Sequence, residues 1–178
     1  MPPPGERRAI AGVDDSKRLD AATRVVLERR IRAQAWGIGL GAASVREVDR
    51  LNIHQATVLA MRRALSRLAA GLAATRGAAV DHVLVDGLPL RTLGVPHTAV
   101  VRGDGRCYAI ACASIVAKVT RDRLMARLGV RYPGFDWGRN AGYGTVAHRA
   151  AIRATGLTPH HRASFCRSLQ LDLLEDAP

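Results

Sequence analysis

Two short aliphatic runs constrain this chain more than any other feature. Residues 82–86, HVLVD, and 97–104, HTAVVRGD, each read as a buried strand, and each stops on an aspartate followed at once by glycine. Open α/β sheets take their ligands outside the carboxyl ends of their strands. Both carboxylates, Asp86 and Asp104, therefore fall on the edge where such a sheet does its chemistry. If the two strands are neighbours, the acids meet there. Two readings of the pair stand side by side. Each aspartate can cap the turn its glycine makes. Alternatively, the two form half of a divalent-metal site, since Mg2+ takes a few carboxylates, keeps several waters and completes its shell with substrate phosphate.

The rest of the chain alternates helices with these runs. Asp20 is placed to cap a helix over about 21–35 that turns Val26, Leu27 and Ile31 to one side. WGIGLGAA, 36–43, reads as a short glycine-rich strand. SVRE from Ser44 and NIHQ from Asn52 both have capping-box spacing, which predicts a short helix and then a longer one. The longer helix carries Ala56, Leu59, Ala60, Leu65, Leu68 and Leu72 toward a core. From Ile110 to Leu128 a helix with Ala111, Ala113, Ser114 and Ala117 can approach a sheet closely. GYGT, 142–145, is a turn, Thr145 caps a helix that stops at Gly156, and TPHHRASF is a loop before a last helix. The pattern is α/β, with a carboxy-terminal helical portion over about 145–178.

Composition bounds the partners. At 178 residues the chain is one domain by length, and 48% hydrophobic content without a long uncharged run gives no membrane span. MPPPGERRAI lacks the apolar stretch of a signal peptide, so the expected compartment is the cytoplasm. Three cysteines without a C-x-x-C fit a reducing environment, and Cys107 and Cys112 with His160 or His161 match no standard zinc spacing. The net charge of +12 is the footprint of a polyanion binder. Lys17 and Lys118 are the only lysines; every other basic side chain is arginine. Its planar fork suits phosphate, although a plain solvated basic surface has the same composition. Aromatics at 4% leave no extended base-stacking platform.

Longer stretches go further. DDSKRL, VDRLNIHQATVLAMRRAL, VLVDG, GDGRCYAIACASIVAKVTRDRLM, GYGT followed by His148, and HHRASF stand in an order that closely resembles bacterial ribonuclease HII, the type 2 ribonuclease H. The resemblance runs from about Pro4 to the last helix, so 1–178 reads as a single domain of that kind. It implies an RNase H-like mixed sheet flanked by helices. It also implies an endonuclease that hydrolyses RNA in RNA/DNA hybrids and at single ribonucleotides embedded in duplex DNA, using Mg2+ or Mn2+. By their match, Asp86 and Asp104 are metal ligands. Lys17, Asn52 and Gln55 match positions that face backbone phosphates, although Asn52 and Gln55 are equally placed to cap a helix. Tyr143 matches a tyrosine that stacks at the RNA–DNA junction, or simply packs within its turn. Asp122 matches a family position and reads as structural, and His148, His161 and Arg162 carry no separable role.

One family feature has no counterpart here. The family opens with a strand ending in D-E-x-G-R-G, which supplies two further carboxylates and a loop that senses the ribose 2′-hydroxyl. PPPGERRAIAGVDDSKRL resembles the segment after the second strand, and Asp14 and Asp15 belong to DDSK. The resemblance implies a sheet order of 3-2-1-4-5. The expectation is a sheet lacking its first two strands, with a gap or a direct pairing between 36–43 and 82–86. The family is usually monomeric, but an opened edge leaves this chain prone to self-association. The alternative to an active nuclease is a nucleic-acid-binding chain that cuts poorly.

Overall fold

The structure, a computed structural model, describes residues 9–166. Helix α1, Ala21–Gln34, starts where expected: the Asp20 carboxylate accepts the Thr23 amide at 2.8 Å. Helix α2, Val45–Leu51, has a full capping box between Ser44 and Glu47. Asn52 then turns the chain with φ of 70°, and its side-chain oxygen accepts the Gln55 amide at 3.0 Å. Helix α3 follows, Ile53–Arg76. Strands β1, Val83–Asp86, and β2, His97–Val100, pair in parallel, with Asp86 opposite Val100. Helix α4, Tyr108–Arg131, is longer than its apolar pattern suggested. A short α5, Trp137–Asn140, and α6, Val146–Thr155, complete the order, and Thr145 caps α6, which stops at Gly156. The expected last helix lies outside the described residues.

The chain divides into two compact units. One comprises residues up to Ala42 with Thr57–Val119; the other comprises Ala43–Ala56 and residues from Thr120 onward. Helices α3 and α4 each contribute to both. In the first unit, Leu27 and Ile31 of α1 pack on Cys112, Ile115, Val116 and Val119 of α4. A second cluster joins Val58 of α3 to Val85 of β1 and Leu93. In the expected α3 stripe only Ala56 and Leu72 are fully buried; Val58, outside that stripe, is buried because β1 covers its side of the helix. The second unit has a core of Phe135, Trp137, Ile152 and Cys166.

Two strand expectations need correction. Residues 36–43 pair with no strand, and the sheet among the described residues has two strands. Their carbonyls bond to α3 instead. Ala42 O accepts from Arg63 Nη1 at 2.8 Å, Leu40 O from Arg67, and Trp36 O from Arg76 Nε at 3.3 Å. Between this segment and β1 lies an apolar cleft of about 910 Å3, lined also by α3 and α4 residues of the same unit. Of the two outcomes foreseen beside 82–86, the structure has the gap. The second correction concerns 97–104: the strand stops at Val100, and Asp104 sits on a separate 3-10 turn, Gly103–Gly105. Arg102, left-handed at φ 55°, ends the strand by turning the chain.

Candidate active site

Asp86 is the last residue of β1. Its Oδ1 accepts the backbone N–H of Gly103 at 2.7 Å, one residue before Asp104. The parallel register brings this about, since Asp86 lies opposite Val100 and Gly87 N–H donates to Val100 O at 3.0 Å. Gly103 is closely packed. A Cβ there would stand 2.6 Å from Ile110 Cδ1 and 3.3 Å from Asp86 Oδ1. The turn thus delivers Asp104 beside Asp86, although not from a strand end. Asp104 Oδ1 accepts the Gly105 amide at 3.1 Å, and its Oδ2 holds Lys17 Nζ at 3.0 Å.

Lys17 is the member of this cluster whose partner the sequence does not reveal, because 87 residues separate it from Asp104. Its backbone is fixed by the DDSK turn. Asp15 Oδ1 accepts the Lys17 amide at 2.9 Å, Arg18 N–H donates to Asp15 O, and Arg24 Nη1 donates to Ser16 O at 2.9 Å. Asp14 accepts the Asp15 amide and the Arg18 guanidinium. The hydrogen bond with Asp104 raises the Lys17 ammonium above its usual pKa, and the charges of Asp104, Asp15 and Asp86 add to this. The same bond holds Asp104 below the usual carboxylate range. Asp86, Asp104 and Lys17 all belong to the first unit.

The donor set suits a hard divalent cation: two carboxylates, carried on β1 and on the turn that β1 fixes. Among the described residues no group of three or more His, Cys, Asp or Glu is placed to hold a metal. Asp86 and Asp104 would supply two of the ligands of a divalent ion. Cys107, Cys112 and Cys166 are free thiols, not joined in disulfides.

The second unit holds the other residues the resemblance singled out. Asn52 is engaged as a helix cap, and Gln55 lies exposed in the first turn of α3. Tyr143 is 70% exposed on a turn held from beneath. The buried Asn140 donates to Phe135 O at 2.8 Å, and its side-chain oxygen accepts the Gly142 amide at 2.8 Å. Gly142, at φ 83°, lets the chain turn there. His148 and His161 are buried beside Phe135 and Trp137 and serve as core groups. Asp49 was not foreseen: its carboxylate accepts the Ala163 and Ser164 amides at 3.1 and 3.0 Å and so pins the HHRASF loop to α2.

This is a helix-rich α/β fold with a small parallel sheet, an acid pair at the sheet's carboxyl edge and a helical carboxy-terminal portion. The crystal structure of the ribonuclease H2 from Pyrococcus horikoshii OT3 superposes with a TM-score of 0.63, covering 93% of this chain and 83% of that one at 18% identity. The fold is thereby that of the RNase H-like class. A family model described as Ribonuclease HII matches residues 6–168. Curated proteins named Ribonuclease HII include one from Rhodospirillum rubrum, 54% identical over 157 residues, 88% of this chain and 68% of the relative. Another, from Sphingopyxis alaskensis, is 50% identical over 166 residues, 93% of this chain and 79% of that protein. The chain belongs to the ribonuclease HII family, whose members are divalent-metal-dependent endonucleases acting on RNA/DNA substrates. No helix among the described residues is long and apolar enough to cross a membrane.

Proposed function

We propose that the chain hydrolyses RNA in RNA/DNA hybrids and at single ribonucleotides embedded in duplex DNA, with Mg2+ or Mn2+ held by Asp86 and Asp104. The observation that carries this is the bond from Gly103 N–H to Asp86 Oδ1, which joins the end of β1 to the residue preceding Asp104. When bound, a divalent ion polarises the scissile phosphate and lowers the pKa of an attacking water. The chain's own residues hold and orient. Asp86 and Asp104 present carboxylate oxygens, and Lys17, Asn52 and Gln55 face backbone phosphates. Tyr143, exposed on its pinned turn, stacks against the sugar or base at the junction. No side-chain nucleophile is required.

The test is cleavage of a duplex carrying one ribonucleotide, with Mg2+ or Mn2+ supplied. Asp86→Asn and Asp104→Asn should each lower kcat at least about a hundredfold, since an ion's stabilisation of transition-state charge is worth several kcal/mol. Substrate affinity should change far less. A second reading, binding with little cutting, is favoured by the lack of a third acid among the described residues. Tight hybrid binding without cleavage at any metal concentration would select it.

A further inference from the structure

We propose that Lys17 is a built-in counter-cation of the acid pair: its ammonium competes with the divalent ion for Asp104, and once displaced it transfers to a substrate phosphate. This rests on the reading of Asp86 and Asp104 as metal ligands and adds the order in which the charges change partners. Lys17 Nζ lies 3.0 Å from Asp104 Oδ2, the oxygen not occupied by the Gly105 amide. A divalent ion such as Mg2+ sits about 2.0–2.1 Å from its carboxylate oxygens. A dication on the same oxygen repels the ammonium and withdraws the charge that holds it, so an ion bound to Asp104 weakens the Lys17 contact.

The local structure allows that exchange at little cost. The Lys17 side chain is 77% exposed, against 14% for Asp104. The anion is thus sheltered by the fold, while the cation reaches it from solvent. The Lys17 backbone is anchored by Asp15, and the backbone of neighbouring Ser16 by Arg24, so only the flexible stem has to swing. Residue choice agrees. In a chain whose basic residues are otherwise arginine except for Lys118, this position carries lysine. A guanidinium would grip the carboxylate with a planar fork, whereas an ammonium is a mobile point charge that can also bind phosphate.

The experiment measures Mn2+ binding to the full chain without nucleic acid, from the electron paramagnetic resonance signal of free Mn2+. Lys17→Met and Lys17→Gln should bind Mn2+ about two- to fivefold more tightly than the parent, the range to which an exposed ion pair corresponds. Lys17→Arg should bind no more tightly than the parent. Arg106→Met, which removes a nearby charge that does not touch Asp104, should change affinity by less than Lys17→Met. With saturating Mn2+, Lys17→Met should lose affinity for a hybrid whose RNA strand is 2′-O-methylated, and without divalent ions it should not. If Lys17→Met and Lys17→Gln keep the parent's thermal melt and bind Mn2+ no more tightly, the competition is refuted. If Asp104→Asn binds Mn2+ as the parent does, it is the metal-ligand reading that fails.

Discussion

The imidazole of His161 accepts the Thr158 amide on Nδ1 at 2.9 Å, with the Thr158 hydroxyl at the same distance. The proton of the neutral ring therefore sits on Nε2, which is buried and has no hydrogen-bond partner among the described residues. Burial first, and then the neighbouring His148 ring, push the His161 pKa down to about 4 from 6.5. The folded value lies below the unfolded one, so the second unit holds this stability above about pH 6.5 and loses it as pH falls toward 4. The shift corresponds to a loss on the order of 3 kcal/mol at the acid end. Thermal melts between pH 7 and pH 4 should show the decline, and His161→Asn, which cannot take up the proton, should flatten it. An equally steep acid decline in the variant would assign the loss to carboxylates instead.

At the scale of elements, residues 36–43 carry the lesson about legibility. Their small apolar residues and alternating glycines read as a strand, but a strand is defined by its partner, and the bonds here run to α3 arginines. The glycines serve close approach. A Cβ on Gly39 would stand 2.0 Å from Ala64 O, and one on Gly41 2.0 Å from Ala60 O. Gly39→Ala or Gly41→Ala should lower the unfolding free energy measured in urea by at least the roughly 1–3 kcal/mol typical of overpacking. Gly71→Ala, with open space around its Cβ on α3, should instead raise stability by about 0.5–1 kcal/mol. What was legible was local: the Asp20, Ser44 and Thr145 caps, the run ending on Asp86, and the stop of α6 at Gly156. What was not depends on contacts between distant residues. No spacing rule predicts that Lys17 meets Asp104 or that Asp49 captures Ser164. Nor does the pattern of α3 say that β1 buries Val58. The position of Asp86 was readable from its strand, whereas Asp104 needed the 3-10 turn to be placed.

For the whole molecule, the charge of +12 is only partly available to a polyanion. Arg63, Arg67 and Arg76 hold backbone carbonyls of 36–42, and Arg24 those of Ser16 and Leu19. Arginine abundance therefore serves the fold as well as phosphate. Enough exposed cations remain that affinity for a hybrid duplex should fall at least about tenfold between 50 and 200 mM salt, the loss that two or more neutralised phosphates impose. Fluorescence anisotropy of a labelled hybrid measures it, and a flat response would refute a nucleic-acid role for the charge. The same titration with Tyr143→Ala should leave the slope unchanged, because stacking releases no counterions.

The parallel register of β1 and β2 has a kinetic consequence. Gly87 N–H points to Val100 O, so by alternation the amide of Val85 also faces β2, whereas those of Leu84 and Asp86 face the apolar cleft. One strand then holds two classes of amide proton. Those of Val85 and Gly87 exchange with solvent only when the strand pair opens, and those of Leu84 and Asp86 exchange as fast as water enters the cleft. Exchange lifetimes along four consecutive residues are sorted by parity, and the carboxylate of Asp86 sits on a residue of the fast class.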